Sequence, residues 1–283
     1  MAFQAVAIVI IFLSICRWVT CKIEQNQWIG MSWVLLLIAT VGYAQPPVEV
    51  PNSVKRKYLR DAARLTLRLA AQEEDLRFQR ISIPRQPMME IYNVLISIYQ
   101  SDERARAVER CNVHTFPSPS IDRCVVIFDR EVEWAAPLRQ GISETNNPEI
   151  NQLLDEYDLI IEKHVQWNDR YDALTIRATE PLNMAALANE FYNVEGVVEV
   201  DLGIPDVRGS DITLKPLPNG SWAVTYILRF GSLFAEQDQV HTWTWHVFPN
   251  GQVQFVRESG APIPAWMRCH FEASDERWLV RSY

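Results

Sequence analysis

Between residues 124 and 202 the spacing of apolar positions switches back and forth between the period of a strand and that of a helix. "CVVIFD" (124–129) is a short apolar run that predicts a buried strand. A loop follows, and Asn147 then stands where a helix cap belongs, with Pro148 at the first helical position and Glu149 in the first turn, where the helix dipole favours an acid. Ile150, Leu153, Leu154 and Tyr157 give that helix one apolar face. Leu159–Trp167 alternates as a strand, "NDR" turns the chain, and Ala173–Ala178 returns as its partner. Asn183 is the next cap, for a helix with Met184, Leu187, Ala188 and Phe191 inward. Gly196 is expected to end that helix, and Val197–Leu202 reads as a strand. The order is β-α-β-β-α-β, the plan of a ferredoxin-like unit.

On either side the pattern differs. Upstream, Asn52 or Ser53 is expected to cap a helix with Val54, Tyr58, Ala62, Leu65, Leu69 and Leu76 at helical spacing. Pro87 opens a second helix carrying Ile91, Leu95 and Ile98, and a charged third helix spans Asp102–Arg110 and is expected on the surface. Three such helices cannot bury their own apolar stripes and must pack on the C-terminal remainder of the chain. Downstream, two "PNG" turns, Pro218–Gly220 and Pro249–Gly251, separate alternating runs and predict a four-stranded antiparallel meander: Ile212–Leu217, Ser221–Phe230, Gln239–Phe248 and Gln252–Arg257. The fold class expected is therefore α+β. Its parts are a helical N-terminal unit (52–110), a ferredoxin-like unit (111–206), and a β meander with a tail (207–283).

The first 44 residues obey another rule. Two apolar runs, Ala2–Ile15 and Trp33–Tyr43, are each shorter than the roughly 18–20 residues that a spanning helix needs. The second ends in "GYAQPP", with Gly42 and Ala44 at the small-residue positions of a signal-peptidase site, and Met31 is read as the working start. Residues 1–44 are expected to be a signal peptide and 45–51 a linker, so that the mature chain is secreted or periplasmic. An uncleaved membrane anchor is the alternative.

Export makes the cysteines informative. Of Cys111, Cys124 and Cys269, the first two are the natural disulfide pair, closing a loop worth about 3 kcal/mol of chain entropy. Two buried free thiols are the alternative. The net charge of −8, and of −9 once Arg17, Lys22 and Glu24 leave with the leader, disfavours nucleic-acid binding, which needs a basic patch.

Little in the chain promises chemistry. No nucleophile elbow, phosphate loop, dinucleotide fingerprint, His-Glu-x-x-His or paired-cysteine metal motif occurs, and no cofactor or metal is expected. His241 and His246 are five apart on a predicted strand and so point to opposite faces. His270 beside Cys269 lacks further ligands, and His114 sits inside the expected disulfide loop. Trp243 and Trp245, with His241 on the same face and Trp222 on the neighbouring strand, are the candidate ligand-binding residues. As an open stripe they would make a platform for sugar rings or a small ligand, and as a covered stripe they would be core. A hydrolase with dispersed carboxylates is a further alternative.

"INQLLDEYDLII" followed by "DALTIRATEPLNMAALANEFYNVEGVVEVD" resembles the prodomain and inhibitor family of secreted subtilisin-like proteases. The resemblance covers residues 124–203 and implies a non-enzymatic protein that binds an extracytoplasmic protein partner through an open sheet face, aided by an extended tail. Here "LGIPDVRGSDITL" follows Asp201 in place of such a tail. The remainder resembles secreted bacterial proteins.

Overall fold

The computed structural model describes residues 48–72, 80–203, 209–231 and 239–267. The leader, Leu76, Cys269, His270 and Trp278 lie outside them. The described residues fold into six helices and two four-stranded antiparallel sheets, an α+β arrangement. No helix among them is long and apolar enough to cross a membrane.

Helix α1 (Asn52–Ala70) enters from Pro51 with no side-chain cap, so neither Asn52 nor Ser53 caps it as expected. Helix α2 (Arg85–Ser101) begins two residues before Pro87, which falls in its first turn. In α3 (Glu103–Arg110) the Asp102 side chain accepts from the Arg104 N–H. Although α3 is highly charged, Ala105, Ala107 and Val108 are buried, which places one side of it in the core rather than on the surface.

Strand β1 (Arg123–Asp129) leads through a 3₁₀ turn (Glu133–Ala135) and the short α4 (Ala136–Arg139) to α5 (Pro148–Glu156). Asn147 caps α5 through the N–H groups of Glu149 and Ile150. Strands β2 (Leu159–Gln166) and β3 (Tyr171–Ala178) form a hairpin, and α6 (Met184–Tyr192) starts at the Asn183 cap. The helix ends before Gly196, which instead makes the turn into β4 (Val197–Asp201). Gly196 has φ +79°, its carbonyl accepts from Asp129 N, and a Cβ there would collide with the Val132 side chain. The sheet order is β2-β3-β1-β4, every neighbouring pair antiparallel.

Strands β5 (Asp211–Pro216), β6 (Trp222–Phe230), β7 (Gln239–Val247) and β8 (Val253–Gly260) form the second sheet in consecutive order. Its two Asn-Gly turns close with Gly220 N–H donating to Leu217 O and Gly251 N–H to Phe248 O, both glycines at positive φ.

Each sheet buries one face under helices. In the first, Cys124, Val126, Phe128, Leu174 and Ile176 meet Met184, Leu187 and Phe191 of α6 and Ile150 of α5. In the second, Val224, Tyr226, Leu228, Trp243, Trp245 and Val247 meet Tyr58, Ala62 and Leu65 of α1, Ile91, Leu95 and Ile98 of α2, and Val108 of α3.

Candidate functional site

The second sheet's aromatic face is covered. Trp243 is 4% and Trp245 0% exposed, and both lie in the core with the N-terminal helices. Alternation puts His241, Trp243, Trp245 and Val247 on the side that α2 packs against. The Trp245 indole N–H donates to Asp102 Oδ2 at 2.9 Å, and Phe255, packed edge-on against that indole, carries the Arg104 guanidinium 4.1 Å above its ring. His241 packs on Trp243, with Nδ1 2.7 Å from Ala261 O and Nε2 2.9 Å from Glu258. Trp222 is half-buried at the margin of the same core. The stripe is packing, because it covers the apolar faces of the three N-terminal helices. His246 lies on the opposite face, as its odd spacing from His241 requires.

The expected Cys111–Cys124 bridge is not made. Cys124 is a free thiol, 1% exposed, and burial pushes its pKa up to about 12. The reason is topological: Cys124 points into the core beneath the first sheet, whereas Cys111 follows α3 at the edge of the other core. Cys111 is disulfide-bonded, and not to Cys124.

His114 is the centre of a polar cluster that its sequence neighbours do not announce. Its Nδ1 lies 2.7 Å from Asp61 Oδ2 of α1, and its Nε2 lies 3.4 Å from Glu109 Oε1 of α3. Asp61, 1% exposed, also accepts from the Thr115 N–H and hydroxyl, and Lys57 donates to Glu109 at 3.1 Å. Burial pulls the imidazole pKa down, but the hydrogen bond to Asp61 and the carboxylate of Glu109 beside the other ring nitrogen outweigh it and raise the value to about 9. With a carboxylate at each ring nitrogen, the imidazolium is the form that suits the site. The Tyr58 and Tyr226 hydroxyls meet beside this cluster without a well-formed hydrogen bond, and burial raises the pKa of both. The acids that converge here are closed in: the side chains of Asp61 and Glu109 are 1% and 9% exposed. Such a cluster ties elements together and offers no open acid pair for hydrolysis. A second His–Asp contact, His164 Nε2 to Asp172 Oδ2 at 3.0 Å, sits at the end of the β2–β3 hairpin, with Phe128 stacked on the imidazole. No group of His, Cys, Asp or Glu among the described residues is arranged to hold a metal.

The surface that does stand open is the far face of the first sheet. The register aligns Lys163, Thr175, Val125 and Asp201 in one row, and Val165, Ala173, Ile127 and Glu199 in the next, all on the face away from α5 and α6. Val125, Ile127, Val165 and Thr175 are half-buried by one another, and Lys163, Glu199 and Asp201 are exposed at the margins. At one end Glu162 pairs with Arg123 at 2.9 Å and lies 3.9 Å from Arg177. A bulge at Glu162 shifts the β2–β3 register there. The result is a small apolar strip in a charged frame.

No protein-family model, curated protein or solved structure matches the chain.

Proposed function

We propose that the protein is an exported, non-enzymatic module that binds an extracytoplasmic protein of the subtilisin-like protease class through the open face of the β2-β3-β1-β4 sheet. One observation carries the reading: Val125, Ile127, Val165 and Thr175, half-buried around the buried Ala173, line a continuous strip on the face that α5 and α6 leave uncovered. Antiparallel sheets tolerate one wet face, but that face is then normally polar, and an apolar strip in a charged frame suits a protein partner. The strand order and the two intervening helices support a ferredoxin-like unit over residues 123–201, and the consecutive order of β5–β8 supports a meander. In the protease-prodomain family that the sequence resembles, the open sheet face is the one that meets the protease. Here the chain beyond Asp201 continues toward β5, so the sheet face alone must carry the binding. Small-ligand binding by Trp243 and Trp245 has lost its support, because both are buried.

The test is a panel of subtilisin-like proteases treated with the chain from residue 45 onward. The expected result is slowing of at least one protease at micromolar concentration, with the protein surviving intact. Ile127→Glu, folded as judged by circular dichroism, should lose the effect. Rapid cleavage without slowing of any protease, or full inhibition by Ile127→Glu, would overturn the proposal.

A further inference from the structure

A cavity of about 460 Å³ lies between the last turns of α1, the 80–84 segment and the start of α2. Leu67, Leu69, Ala70 and Ile91 line it together with Arg80 and Ser82, both of which are exposed. The volume falls in the range of small-molecule sites, roughly 300–1,000 Å³.

The polar groups around it divide into two kinds. The Thr66 hydroxyl donates to Ala62 O, and the Asn183 side chain accepts from Ala186 N–H while donating to Arg80 O. Both serve the frame. They hold the 80–84 segment in place together with the bridge between Ser82 and Leu182 and the Asn183 N–H bond to Ile81 O. The Arg80 guanidinium and the Ser82 hydroxyl, by contrast, make no hydrogen bond or ion pair among the described residues. Among the described residues, the backbone carbonyl of Arg80 is held and its guanidinium has no partner.

We propose that this cavity binds an amphiphilic monoanion of the medium-chain fatty carboxylate class. Arg80 and Ser82 take the carboxylate, and the alkyl chain lies against Leu67, Leu69, Ala70 and Ile91. The chemistry comes from the lining. A guanidinium fork suits a carboxylate, and the apolar side chains among the described lining residues suit an alkyl body. The site is separate from the sheet face described above and stands or falls independently of it.

Decanoate titrated into the chain from residue 45 onward, followed by calorimetry and by the rise of the melting temperature, tests the proposal. The expected result is saturable one-to-one binding. Decanol, with the same chain and no charge, should bind about tenfold or more weakly, and Arg80→Gln should bring decanoate down to the level of decanol. Ala70→Trp, which fills the cavity from a half-exposed position at the end of α1, should abolish binding of both. Circular dichroism of each variant confirms folding. No saturable binding, or binding unchanged in Ala70→Trp, overturns the site. Binding that Ala70→Trp abolishes but Arg80→Gln leaves intact overturns the anionic class of ligand.

Discussion

The two sheets solve the same problem with different material. The first is roofed by helices that its own strands bracket, α5 between β1 and β2 and α6 between β3 and β4. Its local connections specify which helix lies where. The second sheet has no helix of its own and borrows α1, α2 and α3 from the far end of the chain. Apolar contacts are non-directional and would let borrowed helices slide, whereas hydrogen bonds have geometry. That is where the polar fasteners are found. Arg68 of α1 donates to both Asp211 oxygens, to Ile212 O, and to the carbonyls of Phe116 and Ser118. Asp102 receives the Trp245 indole, and His114 joins α1 to α3. Both Arg68–Asp211 and Asp102–Trp245 span 143 residues. Among the described residues, the polar fasteners that span the longest stretches of chain are those of the borrowed roof.

The largest effect is expected at the borrowed roof. Trp245→Ala removes the largest fully buried side chain among the described residues and should cost about 3–5 kcal/mol in urea unfolding. Phe191→Ala in the first core should cost a similar amount. If the two cores form one cooperative unit, both variants shift a single transition. If they are separable, each moves its own phase in a fluorescence and circular-dichroism pair.

Next in size is Arg68→Ala, expected at about 2 kcal/mol. This is below the range for fully buried pairs, because the guanidinium is about a quarter exposed. Its signature should be faster amide exchange in α1 and in residues 115–118, with β1–β4 unchanged. Equal loosening of both sheets would show that Arg68 does not serve the borrowed helices in particular.

The third effect is graded by pH, and only the fraction exchanged between two pH values is read. The folded pKa of His114, about 9, exceeds its ordinary value of 6.5. The unfolded chain therefore sheds this proton first as pH rises. The stabilisation is complete below pH 6.5, declines through the interval, and is gone above about 9. At most about 3.5 kcal/mol is involved, since the two values differ by about 2.5 pKa units and each unit is worth about 1.4 kcal/mol. Chemical denaturation from pH 6 to pH 9 should show this slope in the wild type and a much flatter one in His114→Gln. An imidazole that titrates near 6.5 by NMR would refute the clamp.

How much of this could be read from the chain depends on distance. The caps Asn147 and Asn183, the two Asn-Gly turns and the strand alternation act within a few residues, and the elements they mark form within a residue or two of expectation. Short-range signals also misled. Gly196 reads as a helix stop, but Asn193 already closes α6, and the glycine serves close approach to Val132. The polar cluster was less legible. His114 stood out as a histidine, but its partner Asp61 lies 53 residues away on a helix whose pattern shows only an amphipathic face. Cysteine spacing suggested the Cys111–Cys124 pair because it measures distance along the chain, and the two residues belong to different cores. The open face was implicit in the alternation of β1 to β4. That it stays uncovered is a consequence of where α1 to α3 go.

Periodicity and capping are local properties of the backbone, and they were enough to set the α+β class, most element boundaries, and the faces each strand and helix must bury. Tertiary packing decided the rest: that the Trp243 and Trp245 stripe is closed, that Cys111 and Cys124 are not joined, that Asp61, Glu109 and His114 converge, and that a cavity forms beside Arg80. Each of these depends on which distant surfaces meet. A hydrophobic pattern demands that a face be covered without naming the cover, and the choice is made by directional contacts formed as the chain packs.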